Sequence, residues 1–185
     1  MKNTKLELDE KRIKIRKLKL SDAKDIYENV KDKEIVKWTW NIPHPYTKKE
    51  SIKFIRRSQY RLKKKKAYTF GIVLKETDKV IGVIDLLKVD WKNKNAELGY
   101  WLGKKYWKKN IMTGAVKLIL KFGFEELKLH RIYACTFEKN IGSKKVLEKC
   151  GFKQEGITIE ALFRYNRWHN KLDYGILKSR YKSAK

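Results

Sequence analysis

Three strand-like runs follow one another between Ala67 and Leu102, and they constrain the fold more than any other feature of the chain. Ala67 to Leu74 and Val80 to Val89 are rich in branched and aromatic residues and are separated by Lys75-Glu76-Thr77-Asp78-Lys79, a hairpin connection. The polar turn Asp90 to Asn95 leads into the third run, Ala96 to Leu102. Ahead of them, Arg12 to Leu20 sets Ile13 and Ile15 against Lys14, Arg16, Lys17 and Lys19, with Leu18 and Leu20 after a slip; this reads as a half-buried strand. Ser21 and Asp22 offer an N-cap for a short helix through Val30. Thr47 and Glu50 form a capping box before a helix with an apolar stripe of Ile52, Ile55 and Leu62. Its other face carries Arg56, Arg57, Arg61 and the run Lys63 to Lys66. A basic amphipathic helix lies on a membrane, binds a partner, or packs as a surface helix on a sheet; the last is the commonest and is the reading adopted.

Beyond the third strand, Met112, Val116, Ile119 and Phe122 recur at helical spacing, His130 to Thr136 reads as a strand, and Asn140 to Cys150 as another helix. Two strands close the chain, near Phe152 to Leu162 and Trp168 to Leu177. The order βα, α, βββ, α, β, α, ββ predicts a mixed α/β (α+β) domain with a mostly antiparallel central sheet flanked by helices. The only prolines, Pro43 and Pro45, sit in an irregular aromatic loop with Trp38 and Trp40. With no repeat and no Gly/Ser linker, residues 1–185 are expected to form a single domain.

Composition narrows the class. Hydrophobic residues at 42% and aromatics at 12% exclude disorder as a description of the whole chain. Against 21 Asp and Glu stand 47 Lys and Arg, a formal net charge of +26 that attracts nucleic acid, acidic proteins and anionic cofactors. The excess is 38 Lys and only 9 Arg, so sequence-specific base readout is not indicated, and adhesion to RNA should fade with salt. Two cysteines, Cys135 and Cys150, give neither a disulfide framework nor a multi-cysteine metal site; both read as small apolar residues. No apolar run approaches the ~18 residues of a membrane span. The opening MKNTKLELDEKR lacks an apolar h-region, so the expectation is a cytoplasmic protein with no membrane partner.

The stretch Ala96 to Gly156 carries the chemistry. A strand ends at Leu102, a basic and aromatic loop follows, and a helix opens near Thr113. Strand, loop and helix N-terminus together make a pyrophosphate cradle, because the first helical N–H groups lack partners and carry partial positive charge. Glu97-Leu98-Gly99-Tyr100-Trp101-Leu102, then Tyr106 to Thr113, then Asn140-Ile141-Gly142-Ser143 with Val146 to Phe152, follow in this order. These blocks resemble the GCN5-related N-acetyltransferases (GNAT), and most closely the RimJ/RimL-like branch that acetylates ribosomal proteins. Leu20-Ser21-Asp22-Ala23 and Asp173-Tyr174-Gly175-Ile176-Leu177 extend the resemblance over nearly the whole chain.

The resemblance implies acetyl-CoA as cofactor. Its pyrophosphate would lie on the loop Trp107, Lys108, Lys109, Asn110, Ile111, Met112 and Thr113, and its pantetheine along a splayed strand at Trp101 and Leu102. The family pattern (Gln/Arg)-x-x-Gly-x-(Gly/Ala) is replaced by Trp107, Asn110 and Met112. Asn tolerates left-handed backbone best among non-glycine residues, so Asn110 keeps the turn at modest cost, and Met112 points into the core instead. Asn140 matches a pantetheine-contacting Asn and also fits as a helix cap, while Lys145 reaches toward a CoA phosphate. The Tyr that serves many relatives as acid is Leu147 here, and Ser143 stands where the RimL-like branch has a proposed acid; bonding of that hydroxyl to its own helix is the alternative.

Glu97, on one strand face with Gly99 and Trp101, is the leading general base, with a structural ion pair to a lysine as the alternative. Trp38, Trp40, His44, Tyr46 and Phe163 are assigned to the acceptor side, and His130 to structure. The expected activity is acetyl transfer to an amine by direct attack, with a protein N-terminus, ribosomal-protein-like, as acceptor. Association with ribosomes or RNA through the basic surface, and a homodimer through the C-terminal strands, accompany that expectation. A polyamine or other small-amine acetyltransferase, and a catalytically inactive RNA-binding module on the same fold, are the alternatives.

Overall fold

A computed structural model describes residues 7–39 and 42–181. Among them, eight strands form one sheet in the order β1-β2-β3-β4-β5-β6-β8-β7. Four predicted strands appear as β2 (Ile13–Lys17), β3 (Tyr68–Leu74), β4 (Lys79–Asp90) and β5 (Asn95–Leu102). A short strand, β1 (Glu7–Glu10), precedes them and pairs with β2. β6 (Arg131–Phe137), β7 (Lys153–Arg164) and β8 (Arg167–Leu177) complete the sheet. Every pairing is antiparallel except β5 with β6.

That parallel pairing covers only Asn95 to Glu97 against Arg131 to Tyr133. Past Glu97 the two strands part: β5 continues on β4 alone as far as Leu102, and β6 on β8 as far as Phe137. The split opens the middle of the sheet, and the functional site grows out of it.

Among the described residues, five α-helices cover the two faces. α1 (Ala23–Val30), α2 (Lys33–Lys37) and α3 (Lys48–Lys63) lie on one side, where Leu18, Ile26, Val30, Ile35, Ile55 and Val83 form a buried cluster. α4 (Ile111–Lys121) and α5 (Ile141–Lys149) lie on the other, packed with Phe70, Ile84, Leu86 and Phe122 into the larger cluster. Side chains alternate across a strand, so neighbouring residues of β4, such as Ile84 and Asp85, face opposite layers. No helix among the described residues is long and apolar enough to cross a membrane.

Three local expectations are corrected. Asp22 does not cap α1: its carboxylate accepts two bonds from the buried Arg16 guanidinium, at 2.8 and 3.0 Å, and one from the Lys19 amide at 2.7 Å. A bidentate charged partner offers more than a helix amide does, and it ties α1 to β2. The buried face of α3 is Ser51, Ile55 and Ser58, whereas Ile52 is 37% exposed. Small hydroxyl residues let the helix approach the sheet closely, which a count of apolar positions overlooks. The short helix α2 lies in what reads from sequence as the start of the aromatic loop, with Asp32 accepting from the Glu34 amide as its cap. Thr47 does cap α3, accepting from the Glu50 amide at 3.2 Å.

Candidate active site

A cleft of about 920 Å³ runs from the N-terminus of α4, through the split between β5 and β6, to a chamber under α1, α2 and α3. Its first end is built from backbone. Asn110 sits in the left-handed region at φ 56°, ψ 9°, and turns the chain sharply into α4. Its side chain caps no amide of the helix; its Oδ1 instead accepts from Lys149 Nζ at 3.3 Å. The amides of Ile111, Met112 and Thr113 therefore open the helix at the cleft without a side-chain cap. Ile111 and Met112 are buried in the core, 6% and 7% exposed, which holds this turn in place. Lys108, Lys109, Lys145 and Lys149 surround it with positive charge.

Trp107, at the first position of the loop, donates its indole N–H to the Leu102 carbonyl at 2.7 Å. That bond pins the loop to the end of β5 and occupies the carbonyl of Leu102. A left-handed turn, helix amides and a lysine fringe fit a pyrophosphate group, and the split fits an extended arm beside β5. These residues could hold acetyl-CoA.

In the middle of the cleft two hydroxyls meet. Tyr100 Oη lies 2.8 Å from Ser143 Oγ, joining β5 to the first turn of α5. Burial pushes the Tyr100 phenol above its ordinary range, with the Ser143 contact opposing. Asn140 caps α5 through Oδ1, which accepts from the Ser143 amide at 3.1 Å, and it also lines the cleft, so its two readings coexist. Leu147 is fully buried. Tyr100 was not singled out from sequence. Its value comes from Ser143, 43 residues away, and only the register of β5 against α5 reveals it.

The far chamber mixes aromatic and charged groups. Glu97 is buried at 8% exposure, and Lys88 reaches it with Nζ 2.7 Å from Oε2, an ion pair rather than an aligned hydrogen bond. A β-bulge makes this reach, since register shifts between Leu87 and Asp90 and Lys88 adopts φ 48°. Glu97 raises the Lys88 ammonium above its usual range. Glu97 Oε1 accepts from Cys135 Sγ at 3.6 Å, and burial pushes that thiol up to about 12. Cys135 and Cys150 are half-buried rather than core residues, the latter donating to the Thr113 carbonyl.

Asp85 was also missed from sequence. It lies on β4 directly opposite Gly99, and its Oδ1 is buried with no hydrogen-bond partner among the described residues. Burial pushes this carboxyl up to about 7; Arg61 opposes the shift and Glu97 adds to it. Of the acceptor-side residues expected from sequence, Trp40 lies outside the described residues. His44 is exposed and lines a second cavity, with Lys33, Arg167 and Trp168, rather than this cleft. Phe163 stacks on Trp168 at 5.0 Å, is 58% exposed, and lines neither cavity. Trp38 and Tyr46 do line the cleft, and Phe54 and Trp101 complete its aromatic wall.

Residues 12–153 match the family model described as Acetyltransferase (GNAT) domain. The chain is 30% identical over 169 residues to the Bacillus subtilis protein named uncharacterized N-acetyltransferase YnaD, covering 91% of this chain and 95% of YnaD. It is 43% identical over 113 residues to Probable N-acetyltransferase YjcK of the same organism, covering 60% of this chain and 62% of YjcK, slightly under two thirds. Among solved structures, RimL, a ribosomal L7/L12 α-N-protein acetyltransferase in complex with coenzyme A, superposes with a TM-score of 0.84 at 18% identity over 91% of this chain and 95% of its own. The Vibrio cholerae spermidine N-acetyltransferase in complex with CoA and spermine does so at 0.80 and 20%, over 92% and 98%. These two likenesses concern the fold.

Proposed function

Because this chain belongs to the GNAT acetyltransferase family, whose cofactor is acetyl-CoA, we propose that it transfers an acetyl group to the N-terminal amine of a protein. The observation that carries this reading is the continuity of the cleft: a backbone anion cradle at α4, a split strand, and an acid-bearing chamber at the far end. Acetyl-CoA, when bound, supplies the acetyl thioester. The α4 amides and the lysine fringe hold its phosphates, the β5 edge orients its arm, and the Tyr100–Ser143 pair stands ready to hydrogen-bond a departing sulfur. The aromatic wall excludes water, and the chamber carboxylates attract and hold an ammonium.

RimL acts on a ribosomal protein, and α3 with the lysines after it gives this chain a basic face suited to ribosomes or RNA. Exposed Ile157, Ile159, Phe163 and Trp168 on the β7–β8 hairpin support a homodimer through these strands. A second reading, a spermidine-type acceptor, draws on Glu50, Asp85 and Glu97 in the cleft. Arg57 and Arg61 line the same chamber and oppose a polycation, which favours an amine with one positive charge. The test is acetyl transfer to a peptide beginning with Ser against transfer to spermine. Faster turnover of the peptide supports the proposal, and turnover of spermine alone overturns it.

A further inference from the structure

Of the three carboxylates lining the cleft, Glu50 pairs with Lys53 and Glu97 is committed, whereas Asp85 is not. One oxygen of Glu97 is ion-paired with Lys88 and the other accepts from Cys135. Asp85 Oδ1 is buried, with no partner among the described residues. In a native structure an unsatisfied buried oxygen calls for an explanation, since it costs free energy unless something arrives to bond it.

Its position says what arrives. Asp85 pairs across the sheet with Gly99, two residues beyond the last β5–β6 pair, at the level where the sheet opens. A Cβ on Gly99 would stand 3.1 Å from Asp85 Oδ1, so the absence of a side chain there keeps the space above the carboxylate clear. Resting on the acetyltransferase reading above, we propose that Asp85, rather than Glu97, binds the acceptor ammonium and removes its proton.

The step is a proton transfer. The ammonium R–NH₃⁺ gives one proton to the Asp85 carboxylate, leaving R–NH₂ with its lone pair free and Asp85 as the neutral acid, which returns the proton to water after turnover. The charged groups acting on Asp85 are Arg61 on α3 and Glu97 on β5; Glu50 and Arg57 on α3, Tyr46 just before it and Cys135 on β6 line the same cleft. Arg61 favours the carboxylate, Glu97 and burial disfavour it, and burial dominates, which leaves the group titrating at about 7.

The experiment compares wild type, Asp85→Asn and Glu97→Gln in acetyl transfer to a Ser-initiated peptide and to spermine between pH 5.5 and 9, with acetyl-CoA affinity measured beside it. Wild-type kcat/KM for the peptide is expected to rise with pH through a midpoint near 7. Asp85→Asn loses about 100-fold or more and the rising limb with it, at unchanged acetyl-CoA affinity, while Glu97→Gln keeps the limb. Asp85→Asn within threefold of wild type with the same limb overturns the assignment and leaves the acetyltransferase reading standing. Wild type that binds acetyl-CoA and acetylates neither amine overturns both. Carboxyl ¹³C titration of wild type is independent of any variant's folding: an Asp85 midpoint near 7 supports the assignment, and one near 4 overturns it.

Discussion

The two ends of the cleft are built from different materials. At the α4 end the work is done by main chain: a left-handed Asn110, the helix amides after it, and two core residues, Ile111 and Met112, that fix the turn. At the chamber end it is done by side chains on paired strands, Asp85 and Glu97 among them, whose properties depend on what faces them. A backbone site tolerates substitution provided the chain keeps its path. A side-chain site fails with the loss of a single group. Departures such as Trp107, Asn110 and Met112 from a family pattern are therefore expected to cost acetyl-CoA affinity less than their number implies.

The sharpest break in this comparison is Gly99→Val. It places carbon against Asp85 and is expected to lower acetyl transfer by about 100-fold while acetyl-CoA affinity, measured by calorimetry, stays within about threefold. Asn110→Val attacks the other end. A β-branched residue at φ 56° costs about 1–2 kcal/mol, so acetyl-CoA binding should weaken roughly tenfold, whereas Asn110→Gly should bind at least as well as wild type.

A smaller effect separates the ends by pH. The folded carboxyl of Asp85 sits near 7, above the value of 3.8 expected of a solvated Asp, so folding favours its protonated form. Wild-type stability from this group is full below about pH 4 and is lost as pH rises through about 7. Asp85→Asn, which cannot ionise, should therefore raise Tm more at pH 8.5 than at pH 5, as thermal denaturation at the two pH values will show. Lys88→Met is expected to do least: the ammonium is 73% exposed, and kcat/KM for a peptide acceptor should change by less than about threefold.

The same contrast explains what the sequence made legible. The α4 end is local: the turn, the helix and the basic residues are contiguous from Trp107 to Thr113, and Asn110 adopts the backbone its residue type permits. The strands of the meander and the Thr47 cap were legible for the same reason, since each depends on near neighbours. Asp85, by contrast, is one polar residue inside an apolar run, and only its register opposite Gly99 brings it to the site. Tyr100 needed Ser143, and the ion pair of Glu97 to a lysine, one of its two sequence readings, needed a bulge to show that the lysine is Lys88. His44 and Phe163 were placed at the acceptor by residue type, and the hairpin and loop that carry them lead elsewhere.

The central claim is that backbone at α4 holds acetyl-CoA independently of the chamber. It is tested most directly by calorimetric titration of acetyl-CoA into wild type, Asn110→Val and Gly99→Val, with ATP as an anion control. One site per chain, far tighter than ATP, weakened by Asn110→Val and untouched by Gly99→Val, is the result expected. Binding no tighter than ATP, or binding lost equally in both variants, contradicts it.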